Sequence, residues 1–397
     1  MYTSTIASAA VLGLATISIA LPTQKTTNSS LIATTKSSSS ASAFKFPLAN
    51  GFPDIKNPSD HLTQIQQDAL GTLPKAAANA PKGAKPQPDS ITSLGFIAFN
   101  ELFEVAFFTD LITNITTSAP GFGDGDLEIL GQKKDDILKI LTTVLAQEEL
   151  HELNANGAFE TLTGHEIEPC QYIFPASNFR DAIRLAATFT DVVLGTLPDI
   201  QTIFANDNDN GLIRGVGSVI GQEGEQNGFY RQILGKNPSA LPFLTASARD
   251  FAFSAINQNF VVPSSCPSLD ILKQGGLKIF DVLTVVEAPA EFEPKNQDLK
   301  FSFKTSQTNV AAPKTNSLVA QQNFLTYVNQ QNAPVSVAIE DQSIGDDGAI
   351  HFTAHFPGAD NEMNGLTIAA ITTGKDFVDV DTVAKATLFG PALIEID

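Results

Sequence analysis

Gln147-Glu148-Glu149-Leu150-His151-Glu152-Leu153-Asn154-Ala155-Asn156-Gly157-Ala158-Phe159 is the stretch on which the reading of the fold turns. It lies in an apolar segment of helical character. On a helix, Glu148 and His151 sit one turn apart on the same face. An acid and an imidazole so placed form a metal-ligating pair when they project into a helix bundle. A second stretch, Glu223-Gly224-Glu225-Gln226, repeats the frame, with Gln226 where a second imidazole would stand. The chain therefore carries one intact and one broken copy of the same motif.

Working outward, hydrophobic periodicity predicts four long helices. The first runs from a cap at Asp89 or Ser90 to about Ile115, and the second from about Gln132 to Phe159. The third spans about Asn178 to Leu197, with Pro198 beyond its end, and the fourth about Leu212 to Leu234. A short amphipathic helix at 57–72 precedes them, and a fifth at about Pro242 to Gln258 follows. The run Asn206-Asp207-Asn208-Asp209-Asn210-Gly211 reads as a loop. After Cys266 the texture changes to short β-rich runs at 335–339, 349–356, 366–372 and 386–394, with further strands expected in 275–287 and 298–304. Ser317 to Asn329 reads as a helix candidate. The fold class expected is α+β, a bundle over 57–268 followed by a smaller β-rich domain over 269–397.

On the first helix Glu101 and Glu104 interrupt otherwise apolar sequence. Buried carboxylates need a cationic or protonic partner. On the second helix the face of Glu148 and His151 includes Val144 and Ala155, with Glu152 at its edge and Glu149 turned toward solvent. The third helix has no Glu, only Thr188, Thr190 and Asp191 as mid-helix oxygen donors. Glycines 221, 224 and 228 flank the fourth-helix acids and imply close backbone approach or a kink there.

The formal net charge of −19, from 43 acidic and 24 basic residues, argues against nucleic acid as a partner. It equally disfavours an anionic membrane surface. Met1 to Ala20 is apolar and small-residue rich and reads as a secretory signal peptide without the usual basic start. A Ser/Thr-rich, disordered leader is expected over 21–56. No further segment reads as a membrane span. Two cysteines, Cys170 and Cys266, most simply pair in an oxidising compartment. Asn28 and Asn114 head glycosylation sequons.

Asn100 to Phe108, Gln147 to Phe159 and Gly221 to Arg231, in this order and spacing, resemble the secreted fungal branch of the ferritin-like superfamily. Its members are described as late sexual development or stress-response proteins, similar to plant desiccation-related proteins. The resemblance covers about residues 57–268. It implies an antiparallel ferritin-like four-helix bundle and a secreted location, with association to the cell wall as one extracellular option. Carried over, the superfamily's ligand pattern places Glu101, Glu148, His151 and Glu223 on one metal ion. Thr190 stands where a third-helix Glu belongs, and Gln226 stands where the second His belongs. Glu104, Thr190 and Gln226 then surround the centre without binding the ion directly.

Three carboxylates and one imidazole suit a single iron or manganese ion, and zinc also accepts such donors. With one ion, sequestration or a structural role is expected rather than oxidase chemistry. The alternative is a metal-free bundle whose acids are protonated or paired internally, Glu148 with His151 for example. In a third reading the chain is a scaffold that binds cell-wall glycans or another protein. Other constellations carry less. His351 and His355 share a strand face but lie too far apart for one ion. The loop at 206–211 lacks the closing Glu of a calcium loop. His165 reads as a solvated loop residue, and Asp124-Gly125-Asp126 as a turn. No phosphate loop or nucleophile elbow occurs.

Overall fold

A computed structural model describes residues 43–75, 85–127, 133–286, 293–304, 323–346 and 348–396. The helices are α1 (Asp60–Asp68), α2 (Pro88–Thr116), α3 (Lys134–Thr163), α4 (Phe179–Asn206), α5 (Ile213–Ile233), α6 (Arg249–Asn259), α7 (Leu269–Gln274) and α8 (Val380–Ala386). The strands are β1 (Leu283–Val286), β2 (Asn296–Phe303), β3 (Phe324–Asn329), β4 (Val335–Ala338), β5 (Glu340–Ile344), β6 (Ile350–Pro357), β7 (Gly365–Thr372) and β8 (Thr387–Ile396). The chain is α+β, with its sheets in the C-terminal part.

α2 packs against α3 on one side and against α4 and α6 on others. A helix covered all round must be apolar all round, and α2 is buried from Leu94 to Phe108 without a break. By length and composition it could cross a bilayer, but 94% of its most apolar window is buried inside the protein, as in a core helix. Phe103 lies at the centre of an aromatic cluster with Tyr172, Phe174, Phe189 and Phe260. Phe103 meets Tyr172 and Phe189 edge-to-face, as the ring quadrupoles favour, and Phe174 and Phe260 at a tilt.

The start of α2 is capped from a distance. Pro88 suits the first helical position, where no donor is needed. Ser90 N and Oγ donate to Asp207 Oδ2 at 3.2 and 3.0 Å, and Gln87 N donates to Asp209 Oδ2 at 2.8 Å. The acidic loop after α4 thus satisfies orphan donors at the positive end of α2. Neither Asp89 nor Ser90 is the cap. α4 also runs on through Pro198 to Asn206, past the expected stop at Leu197. Pro198 removes one helical hydrogen bond. Next to that gap, Gly195 O accepts from Ser247 N at 3.3 Å. Residues 242–248, expected as helix, are not helical. Ala246 N donates to Gln330 O at 2.9 Å and ties this segment to the sheets.

Two antiparallel four-stranded sheets, ordered β1-β2-β6-β5 and β4-β3-β7-β8, pack face to face. Their shared core includes Phe301, Phe303, Phe352, Tyr327 and Phe389, with Phe303 and Phe389 rings 4.3 Å apart. β7 is buried at every position. Ala369 and Ile371 face the sandwich core, while Leu366, Ile368 and Ala370 join the helical core. This two-sided burial explains why β7 is apolar on both faces from Ile368 to Ile371. Leu272, Leu277 and Phe280 also belong to the helical core. Residues 269–280, expected with the β part, therefore pack with the helices.

Part of the expected leader is ordered. Phe44 bridges to Tyr172, and Phe52 is fully buried. The described part of the helix candidate at 317–329 is strand β3, as its β-branched and aromatic content favours. The rest of that candidate lies outside the described residues, as do the signal-peptide segment and Asn28. Two elements had no sequence signal that was read as such. β5 is polar and pairs with β6 at a sheet edge, and α8 opens with an Asp379–Thr382 capping box.

Candidate metal centre

Glu101 on α2, Glu148 and His151 on α3, and Glu223 on α5 converge in the helical interior. One ligand atom from each lies within 4.8 Å of all the others. Donors on one ion with bonds of about 2.1 Å are at most about 4.2 Å apart. Four tetrahedral donors at that bond length are about 3.4 Å apart, so side-chain shifts of about 1 Å bring the set onto one ion. Glu148 and Glu223 are 0% exposed, Glu101 1%, and the His151 side chain 16%. His151 closes the outer side of the group.

His151 Nδ1 and Glu148 Oε2 share a hydrogen bond of 2.8 Å. Glu101 Oε2 is 3.7 Å from the same nitrogen. Gln226 Nε2 donates to Glu148 Oε1 at 2.6 Å and to Gln147 Oε1 at 3.2 Å. Glu148 is thus held from both sides. Glu223 differs: among the described residues neither of its carboxylate oxygens has a protein partner. An acid buried without a partner is costly, and a cation would satisfy it. The buried Glu101, Glu148, His151 and Glu223 could hold a metal ion.

The electrostatics favour a positive guest. Burial, then the nearby Glu148, raise the Glu101 pKa to about 7, with His151 opposing them. Burial raises Glu223 well above the ordinary range, with the charges of Glu101 and Glu148 adding to it. For His151, burial disfavours the charged ring, but Glu148 and Glu101 outweigh it and raise the pKa. These are the three sources of shift acting together: desolvation, neighbouring charge and hydrogen bonding.

Glu104 is also buried, and after burial itself, Glu148, Glu223 and Glu101 raise its pKa further. Asn100 Nδ2 donates to Glu104 Oε1 at 2.8 Å. Thr190 is 1% exposed, and its hydroxyl lacks a protein partner. On the neighbouring turn, Asp191 Oδ1 accepts from Asn227 Nδ2 at 2.8 Å. Tyr230, missed in the sequence reading, is fully buried beside these acids, its hydroxyl 3.5 Å from Gln226 Oε1. Its place four residues after Gln226 was the available signal.

One expectation about α3 needs correction. Glu149 does not face solvent. It is 3% exposed, accepts from Asn50 Nδ2 at 2.8 Å, and burial raises its pKa to about 7. The cause is α1 and the segment before it, which cover that side of α3 through Leu62, Ile65, Ala146 and Leu150. Glu152 is likewise interior, with a pKa raised to about 8 by burial and a bond from Asn156 Nδ2 at 2.7 Å.

Cys170 and Cys266 form a disulfide. The Asn114 side chain sits within α2 and donates to Asp110 Oδ2 at 2.9 Å. His355 pairs with Asp298 at 3.0 Å on the sandwich surface, away from the centre. Compared with family models and with curated proteins, the chain matches none.

Proposed function

We propose that this chain is a secreted ferritin-like protein of the fungal sexual-development or stress-response branch, and that its degenerate carboxylate/His centre holds one iron or manganese ion. The observation that carries the metal reading is Glu223, whose carboxylate is fully buried and unpartnered within reach of Glu101, Glu148 and His151. Hard oxygen donors with one nitrogen suit these metals. Four long helices with an interior carboxylate/His group support the ferritin-like bundle, and the disulfide supports an oxidising destination. The Gln226 amide occupies the second imidazole's place, which favours one ion over two. Sequestration or a structural ion follows from this, and no catalytic activity is proposed.

A second reading rests on the pairing of Glu148. His151 and Gln226 already satisfy it without a cation. In that reading the acids hold protons and the chain is a metal-free scaffold, associated with the cell wall or with another protein.

Elemental analysis of secreted, untagged protein separates the two. The metal reading expects near one equivalent of iron or manganese, whereas less than about a tenth of an equivalent of any transition metal leaves the scaffold ahead. Glu223→Gln, at the buried acid that has no protein partner among the described residues, adds an opposite-sign test. It weakens metal retention and lowers the melting temperature if an ion is held. It leaves stability unchanged or raised if none is.

A further inference from the structure

A second site lies far from the acids of the helices, in the β sandwich. A cavity of 390 Å³ opens between the turn that joins β3 to β4 and the loop that leaves β6. Its floor is Tyr327, Met363 and Val335, and its rim carries Asn332, Asp360 and Glu362. Tyr327 is fully buried, yet its hydroxyl has no protein partner. Buried phenols usually find one, so the unused hydroxyl marks this cavity out.

The rim is preorganised. Asn296 Oδ1 accepts from Ala359 N and Asp360 N at 3.0 and 3.2 Å, and Met363 N donates to Gly358 O at 2.9 Å. Asn361 Nδ2 closes the same loop onto Pro357 O at 3.1 Å. A loop held this way loses little freedom when a ligand arrives. The side chains of Asp360 and Glu362 remain exposed at the mouth.

The lining selects a ligand class. Among the described residues it contains no Lys, Arg or His, so phosphate, sulfate or carboxylate ligands find no counter-charge there. Amides donate to and accept from hydroxyls, carboxylates accept from them, and Met363 and Val335 offer an apolar surface for C–H faces. The volume falls within the usual range for small-molecule sites, about 300–1,000 Å³. We propose that this cavity binds a neutral saccharide, with Tyr327 and Asn332 among its hydrogen-bonding partners. The site is independent of the metal reading.

The test is calorimetric titration of the full chain with N-acetylglucosamine disaccharide, cellobiose and mannobiose, and separately with calcium chloride. The proposal expects saturable binding of at least one sugar. It also expects about tenfold weaker binding in both Tyr327→Phe and Asn332→Ala, a loss typical of one ligand hydrogen bond. Tyr327→Phe should not lower the melting temperature of the sugar-free protein, because the hydroxyl it removes has no protein partner. Absence of binding at about 10 mM of every sugar overturns the proposal. So does sugar binding that both variants leave intact, since the site then lies elsewhere. Calcium binding abolished by Asp360→Asn, without sugar binding, identifies a cation site and also overturns it.

Discussion

Gln226 on α5 donates its side-chain amide to Glu148 Oε1 on α3 at 2.6 Å. A neutral imidazole at that position would offer a lone pair to a metal, and an amide nitrogen offers only hydrogens. The bond also occupies the Glu148 oxygen that a second ion would need. Gln226→His removes this bond and adds a nitrogen donor beside Glu104, Glu148 and Glu223. Metal content at saturation should rise by up to about one equivalent over the native chain. Elemental analysis after loading with iron(II) or manganese(II) measures it. Unchanged content would show that the Gln226 amide is not what limits the group to one ion.

Stability without metal should fall as pH rises. The Glu101 pKa stands at about 7 and Glu152 at about 8, both above an ordinary 4.5 because burial disfavours their charged forms. Between these values the folded chain keeps protons that the unfolded chain has released, so unfolding gains as pH increases. His151 acts in the same direction: its raised pKa lends stability at low pH that is lost as pH climbs through the folded value. Together the groups shift stability by several kcal/mol. Metal binding needs deprotonated ligands, so retention of the ion should improve over the same range. Thermal melts of chelator-treated and metal-loaded protein from about pH 5 to 8 should therefore slope in opposite directions. A flat profile for the chelator-treated protein would contradict the buried-acid account.

The acidic loop after α4 is expected to act as a helix cap and not as a calcium site. Asp207→Ala leaves Ser90 N and Oγ without their acceptor at a fully buried position. Loss of such a cap costs about 1 kcal/mol, within a range of about 0.5–2. Urea denaturation should show a lower midpoint with an unchanged slope. Metal content should not change, and added calcium should not stabilise the native chain. A calcium-dependent rise in the midpoint would restore the cation reading of this loop.

What could be read from residues alone followed from local periodicity. Spacings of three and four place Glu148 with His151, and they place Glu101 on the same interior face as Phe108. The β-rich content of 366–372 likewise marks β7 as a strand. Long-range coverage could not be read this way. Nothing near Glu149 shows that Asn50, 99 residues earlier, closes over it. Nor does the sequence around Pro198 show that Ser247 will supply a donor to Gly195 O beside the helical gap. The Asp207 side chain gives no local sign that its partner is the start of α2. In each case the deciding group lies on another element.

The disulfide should matter more to the unfolded chain than to the folded one. Cys170 and Cys266 are 96 residues apart, and the loop between them contains α4, α5 and α6. The segments that hold the cysteines are already joined by backbone hydrogen bonds, Val262 N to Gln171 O at 2.9 Å and Ile173 N to Phe260 O at 2.8 Å. Tyr172, between those two residues, bridges to both Phe44 and Val261. Removing the sulfur link therefore leaves the native contacts in place while the denatured ensemble gains freedom. Chain-entropy estimates give about 4–5 kcal/mol for a loop near this length, and native disulfides typically contribute about 2–5. A Cys170→Ser, Cys266→Ser double variant should lose stability of that order in chemical denaturation. Metal content measured under folding conditions should match the native chain, because neither cysteine touches the Glu101, Glu148, His151 and Glu223 group. A variant that folds but fails to retain metal would show that the link also positions α4 and α5 around the centre.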